Sequence, residues 1–203
     1  MGATRGRIGM TAIKRYYPPG SARLKPVALP ERGCVYVKNA KAGSSTVLLW
    51  LHRIRSGDAT AAPVNVHTDA AVTRVSDLGW PAMADRLSSD YVFTVVRDPV
   101  ARFESAVRSK VLCETNNPAR AQIEQTLGLP AGSPLTVEQV LAAVESIEPI
   151  MLNAHWRPQH LNLALPLVRY DLIGHLESLA SDLARVQHDV ALPDAPHEAR
   201  NAT

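Results

Sequence analysis

Two stretches of this chain gather side chains that hold anions, and its histidines offer bases to go with them. Ala40-Lys41-Ala42-Gly43-Ser44-Ser45-Thr46 combines one full positive charge, small residues and three hydroxyls. Small residues let a backbone approach a ligand closely and hydroxyls donate hydrogen bonds. A helix that begins there adds free N–H groups and the positive end of its dipole. Arg97 directly follows the apolar run Tyr91–Val96, and Ser105 lies eight residues further on. A guanidinium fork donates two parallel hydrogen bonds, which suits a dianionic phosphate. Helical side chains lean toward the N-terminus, so Ser105 can point back at a group held by Arg97. Of seven histidines, His67 and His155 are the candidate proton acceptors, imidazole being the side chain that titrates nearest neutrality.

The elements that must position these residues read as strands alternating with helices. Cys34-Val35-Tyr36-Val37 predicts a short strand, with Val47, Trp50, Leu51 and Ile54 at helical spacing after the small-residue loop and Gly57 closing that helix. Ser44, Ser45 and Thr46 are placed where a helix N-cap wants a hydroxyl. Val64-Asn65-Val66 predicts a second short strand that delivers His67 to the sheet edge where an α/β fold collects its site residues. Tyr91–Val96, apolar on both faces, predicts a strand inside a parallel sheet. Asp98 and Pro99 form an N-cap and N1 pair for a helix to about Leu112. Further helices are predicted over 80–87, 120–127 and 136–147, the last with a Thr136/Gln139 capping box. A late strand over 167–173 and a final helix over 176–190 complete the pattern. The fold class is α/β, a three-layer sandwich around a central parallel sheet.

Composition bounds the function. The chain has 203 residues, 46% hydrophobic and 20% charged, which suits one ordered domain with a real core. No apolar run approaches the ~20 residues of a membrane helix, so membrane insertion is not expected. The N-terminal residues lack the apolar core of a signal peptide, and Gly6 stands where a myristoylation pattern wants Ser or Thr. Cys34 and Cys113 are distant and give no metal-binding spacing; their use suits a reducing compartment, and the expected location is cytoplasmic. No metal site is expected. The net charge of +3 is uneven: residues 1–32 hold seven basic side chains against Glu31, while the remainder is net acidic. Residues 1–32 therefore read as a basic, partly disordered arm, 33–192 as the catalytic domain and 193–203 as a tail. The acidic body, with five Phe or Trp residues, argues against an extended nucleic-acid face. The loop is not a Walker A sequence either, because its lysine precedes the glycine.

The motifs do resemble one family. Lys41-Ala42-Gly43-Ser44-Ser45 is similar to the Pro-Lys-x-Gly-Ser/Thr-Ser/Thr loop of sulfotransferases that use 3′-phosphoadenosine 5′-phosphosulfate (PAPS), with Ala40 in place of the proline. Arg97 and Ser105, with Asp98, Pro99 and Arg102 between, resemble that family's 3′-phosphate motif. His155-Trp156-Arg157-Pro158-Gln159 and Tyr170-Asp171-Leu172-Ile173-Gly174-His175-Leu176-Glu177 resemble segments of Golgi carbohydrate sulfotransferases, sulfotransferase family 2. The chain looks like a relative of bacterial type without their membrane anchor. Together the patches span about 34–185.

The resemblance implies a P-loop-NTPase-like sulfotransferase fold and transfer of a sulfuryl group from PAPS to an acceptor hydroxyl, with 3′-phosphoadenosine 5′-phosphate (PAP) as product. Lys41 would serve the leaving oxygen. Ala42, Gly43, Ser44, Ser45 and Thr46 would hold the 5′-phosphate, and Arg97 and Ser105 the 3′-phosphate. Arg157 joins the cations expected at the donor. His67 is the first choice of base and His155 the second. The acceptor would be a carbohydrate or small molecule, and the basic arm would suit an acidic one. Two other readings stand beside this one: a Mg²⁺-dependent nucleotide phosphotransferase using the same loop, and a non-catalytic protein that binds anionic polymers.

Overall fold

The computed structural model describes residues 10–21, 23–114 and 116–196. Its elements are, in chain order, α1 (Met10–Tyr16), β1 (Pro26–Leu29), β2 (Cys34–Val37), α2 (Ser44–Ser56), α3 (Val66–Asp69), β3 (Thr73–Arg74) and α4 (Val75–Ser89). Then come β4 (Tyr91–Val96), α5 (Pro99–Val107), α6 (Pro118–Thr126), α7 (Val137–Ser146), α8 (Gln159–Asn162), β5 (Leu172–His175) and α9 (Leu179–Val190). The strands form one sheet in the order β3-β1-β2-β4-β5.

This sheet is mixed. β2, β4 and β5 run parallel, whereas β1 pairs antiparallel with both β2 and β3. The expected all-parallel sheet is thus corrected to a parallel core with an antiparallel flank. The reason lies in residues 26–29: Pro-Val-Ala-Leu is an apolar run hidden between basic residues and flanking prolines, and all four side chains are buried in the sheet. The expected boundary of an arm at residue 32 moves with it. Ile13, Tyr17 and Leu24 are buried as well, so the described part of that segment packs into the body. Residues 1–9 and 197–203, which carry the rest of the expected arm and tail, lie outside the described residues.

Strand alternation sorts the core into two layers. Cys34, Tyr36, Phe93 and Val95 face α2 and α9, where they meet Leu48, Trp50, Leu183 and Val186. Val35, Val37 and Val92 face the opposite way, onto Ile13 and Tyr17 of the N-terminal segment and Met83 and Leu87 of α4. A third cluster joins α5, α6 and α7 around Ile123, Val140 and Trp156. The three-layer architecture is as expected.

Several local expectations change. Val64–Val66 forms no strand: Val64 is fully exposed and Asn65 instead caps α3, accepting the His67 N–H at 2.9 Å. A two-residue apolar signal with an Asx-type residue inside it favours a helix cap over a ladder. The late strand lies at 172–175 and not 167–173, Leu167 and Val168 being drawn into turns that follow Ala164. The helix begun by Asp98, whose carboxylate accepts the Ala101 N–H at 2.8 Å, loosens after Val107 into a π-helical stretch, Arg108–Cys113.

Candidate active site

The anion loop leaves the C-terminal end of β2 and is shaped by two left-handed residues. Lys41 has φ +66° and Gly43 φ +73°. A non-glycine in that region stores strain that the surroundings must hold, and Arg102 supplies the hold. Its buried guanidinium donates from Nε to the Ala40 carbonyl oxygen at 2.8 Å, from Nη1 to the Arg157 oxygen at 3.1 Å and from Nη2 to the Ala154 oxygen at 2.8 Å. Gly43 is required twice over, because a Cβ there would also lie 2.7 Å from Leu176 Cδ1.

Gly43, and not one of the hydroxyl residues, is the N-cap of α2, and no side chain caps it. Ser44, Ser45 and Thr46 therefore occupy the first helical turn, where backbone N–H groups lack intrahelical acceptors and the dipole is positive. This corrects the expectation that one of the three hydroxyls caps the helix, and it leaves the helix end open to an anion.

A second set of bonds ties this loop to the end of β4. Gln159 Oε1 accepts from Asn39 Nδ2 at 2.7 Å and from the Arg97 N–H at 3.0 Å, while its Nε2 donates to the Arg97 carbonyl at 2.7 Å. Asn39 also donates to the Val95 carbonyl at 3.1 Å. One glutamine from α8 thus locks together the two strand ends that carry Lys41 and Arg97. Arg97 extends from this lock, and its side chain makes no hydrogen bond or ion pair among the described residues.

These parts open into one cavity of about 800 Å³, lined by Lys41, Gly43, Ser44, Ser45, Thr46, His67, Arg97, Ser105 and His155 among others. Of the sequence candidates, the cavity walls lack Ala42 and Arg157. Ala42 has a fully buried side chain and can offer only its backbone. Arg157 is 1% exposed; its Nε donates to the Leu152 carbonyl at 3.1 Å and its guanidinium lies 5.8 Å from the Tyr17 ring centroid. It is an anchor for the N-terminal segment, which corrects its expected place at the donor. Sequence reasoning missed Asn39 and Gln159; the only signal was Gln159 closing the His-Trp-Arg-Pro-Gln run.

The cavity is strongly cationic, which shows in its titrating groups. Burial, together with Lys110, Arg97 and Arg102, lowers Lys41 from the usual lysine value, an effect the nearby Glu114 partly offsets. Burial, then Lys38, Lys110 and Lys25, bring His67 down to about 4. Burial and the charges of Lys110, Lys41, Lys25 and Arg102 do the same to His155, also to about 4. Both imidazoles are neutral at neutral pH. His67 Nε2 lies 3.1 Å from Ser45 Oγ, so α3 touches the first turn of α2. His155 is oriented differently. Asn153 Oδ1 accepts the His155 backbone N–H at 3.1 Å, which identifies that atom as the oxygen, and lies 2.8 Å from His155 Nδ1. The proton of the neutral ring is therefore on Nδ1, and the lone pair is on Nε2.

Residues 34–202 match a family model described as the sulfotransferase family. The chain belongs to the sulfotransferase family. Carbohydrate sulfotransferase 14 of Mus musculus is 31% identical over 131 residues, covering 61% of this chain and 34% of that protein. The Homo sapiens protein of the same name is 30% identical over the same shares. The match thus spans about a third of the length of these curated relatives. No solved structure matches the chain significantly. The mixed sheet with a parallel core and helices on both faces is an α/β architecture consistent with the sulfotransferase fold. No helix among the described residues is long and apolar enough to cross a membrane.

Proposed function

We propose that the chain transfers a sulfuryl group from PAPS to the hydroxyl of an acceptor, a carbohydrate or a smaller hydroxylated molecule. The observation that carries this reading is that the Lys41 loop and the Arg97–Ser105 pair open into the same cavity. Two separate anion-binding sets in one cavity suit a donor with phosphate groups at both its 3′ and 5′ positions.

In this reading the N–H groups and hydroxyls of Ser44, Ser45 and Thr46 hold the 5′-phosphate, and Arg97 with Ser105 holds the 3′-phosphate. Lys41 faces the oxygen that leaves with the nucleotide, where negative charge grows as the S–O bond breaks. His155 is the base: held through Nδ1 by Asn153, it presents the Nε2 lone pair to the acceptor hydroxyl and takes its proton as the new S–O bond forms. His67 orients Ser45 instead, its own Nε2 being engaged by that hydroxyl. Catalysis is positioning and charge stabilisation, as in phosphoryl transfer.

A Mg²⁺-dependent phosphotransferase fits less well. Among the described residues lining the cavity the one carboxylate, Glu114, is engaged by Lys110 at 2.7 and 2.5 Å. A polymer-binding reading has less support, since Arg23 and Lys25 of the basic segment line the same cavity as Lys41. The unpaired thiols Cys34 and Cys113 fit a reducing, cytoplasmic setting. The test is release of PAP from PAPS in excess EDTA with a panel of hydroxylated carbohydrates. Acceptor-dependent release that is lost in Lys41→Ala supports the reading; release only with Mg²⁺, or undiminished in that variant, overturns it.

A further inference from the structure

The helix that carries Ser105 changes pitch as it passes the cavity. After Val107 it becomes π-helical over Arg108–Cys113, and the Glu114 N–H donates to the Ser109 carbonyl, five residues back, at 3.2 Å. Such turns recur at functional sites, where the wider pitch re-aims side chains. Here Ser109, Lys110 and Glu114 all join Ser105 in lining the cavity. The turn is fastened from behind. Asn117 Nδ2 donates to the Lys110 and Glu114 carbonyls, each at 2.9 Å, and Arg120 Nη1 donates to the Val111 carbonyl at 2.5 Å. Arg120 is itself paired with Glu124 at 2.7 Å, both side chains being buried.

The turn places a carboxylate where a polyanion must enter. Glu114 accepts from Lys110 Nζ at 2.7 and 2.5 Å and from Ser109 Oγ at 3.2 Å. The Lys110 hydrogen bonds, aided by its charge and by Ser109, hold Glu114 below its ordinary value, so it is ionised at neutral pH. A fixed negative charge there would oppose an anionic donor. This one is free to leave: its side chain is 47% exposed, and an ion pair with so open a partner is weak.

Lys110 has a particular place among the cavity's cations. It is the charge that acts most strongly on Lys41, and also on His155. Lys41 faces the leaving oxygen and His155 the incoming one, so the sulfuryl group passes between them. A cation felt most by both ends lies beside the group in the middle. The donor carries about four negative charges, close to two of them on the 3′-phosphate. Lys41 and Arg97 bring two positive charges, and neither is assigned to the sulfuryl oxygens.

We propose that Glu114 is a built-in stand-in for the sulfuryl group: it holds Lys110 while the cavity is empty and yields it to the sulfuryl oxygens when PAPS binds, which makes Lys110 a further catalytic residue. The inference rests on the sulfotransferase reading of the cavity. In the transfer the S–O bond to the 5′-phosphate breaks, and its electron pair stays on the phosphate oxygen beside Lys41. The acceptor oxygen forms the new S–O bond and its proton goes to His155 Nε2. The Lys110 ammonium keeps its protons throughout.

The test is calorimetric titration of the full chain with PAPS and with PAP, in excess EDTA and without acceptor. PAP has nearly the same total charge as PAPS and no sulfuryl group, so it separates contact from a general field effect. Glu114→Gln should bind PAPS at least threefold more tightly and PAP within about twofold of the unaltered chain. Lys110→Met should bind PAPS at least tenfold more weakly and PAP at most about threefold more weakly. In Lys110→Met/Glu114→Gln the gain from the glutamine should vanish, because the two residues act as a pair. Circular dichroism checks each fold, and Lys110→Gln replaces Lys110→Met should the methionine variant not fold. Unchanged or weaker PAPS binding in Glu114→Gln overturns the exchange and leaves the donor reading standing. Equal losses of PAPS and PAP on removing Lys110, or a gain from the glutamine that survives without Lys110, do the same. Failure of the unaltered chain to bind either nucleotide overturns the donor reading itself, and this inference with it.

Discussion

Arg102 Nε donates to the Ala40 carbonyl at 2.8 Å, and through that bond a buried arginine of α5 holds the strained Lys41 loop. The same guanidinium reaches the carbonyls of Ala154 and Arg157 on either side of His155, so one side chain sets the spacing of the two groups assigned to the reaction. Arg102→Met would leave three carbonyls without their donor. Each buried group left unsatisfied costs about 1–3 kcal/mol, so a fall of about 3 kcal/mol or more in unfolding free energy is expected by urea denaturation. Arg102→Lys should recover part of the stability but little of the PAP affinity, since one ammonium cannot span three directions. Undiminished stability and affinity in Arg102→Met would remove the residue from this role.

Gly43 is predicted to tolerate no side chain. At φ +73° an L-residue pays about 1–2 kcal/mol, and the new methyl would meet Leu176. Gly43→Ala should lose at least that stability by thermal or urea unfolding. Adding Leu176→Ala relieves the contact and not the backbone, so the double variant should remain less stable than a single Leu176→Ala.

Lys41→Ala should leave the fold intact by circular dichroism and lower kcat by about 10²–10³-fold, the size expected when one stabiliser of transition-state charge is lost. Its effect on KM is expected to be smaller. A variant with unchanged kcat would exclude Lys41 from the leaving-group position.

His155 and His67 separate by substitution and by titration. His155→Asn should lower kcat by about 10²-fold or more, in the range for a positioned base, with His67→Asn affecting mainly donor affinity through Ser45. Both rings have a folded value of about 4, below the ordinary 6.5. Between those values the unfolded chain binds protons that the folded chain does not, so stability falls as pH drops from about 6.5 to 4 and is unaffected by these rings above that window. A bound anionic nucleotide favours the imidazolium and should raise both values. Histidine ring NMR titrations with and without PAP check this, and a value that falls on binding would contradict the placement.

Much of this arrangement is legible in the chain because local rules carry it. The two-faced apolar run at Tyr91–Val96, the Asp98-Pro99 start of α5 and the Thr136/Gln139 box each form as their sequences dictate. The residues Lys41, Gly43–Thr46, Arg97, Ser105, His67 and His155 also meet in one cavity. What sequence could not reveal depends on distant partners. Pro26–Leu29 looks like part of a basic arm until Val37 and Arg74 pair on either side of it. Arg157 is charged and flanked by motif residues, yet its burial follows from Tyr17, 140 positions away in the chain. Gln159 could not be recognised as a lock, because its partners Asn39 and Arg97 lie on two other strand ends.

If two anion-binding sets serve one donor, a calorimetric comparison of PAP with ADP in excess EDTA will separate the two nucleotides. PAP should bind without metal, ADP much more weakly for want of the 3′-phosphate, and Arg97→Ala should remove that difference. Equal affinity for the two nucleotides, or binding that requires Mg²⁺, would contradict it.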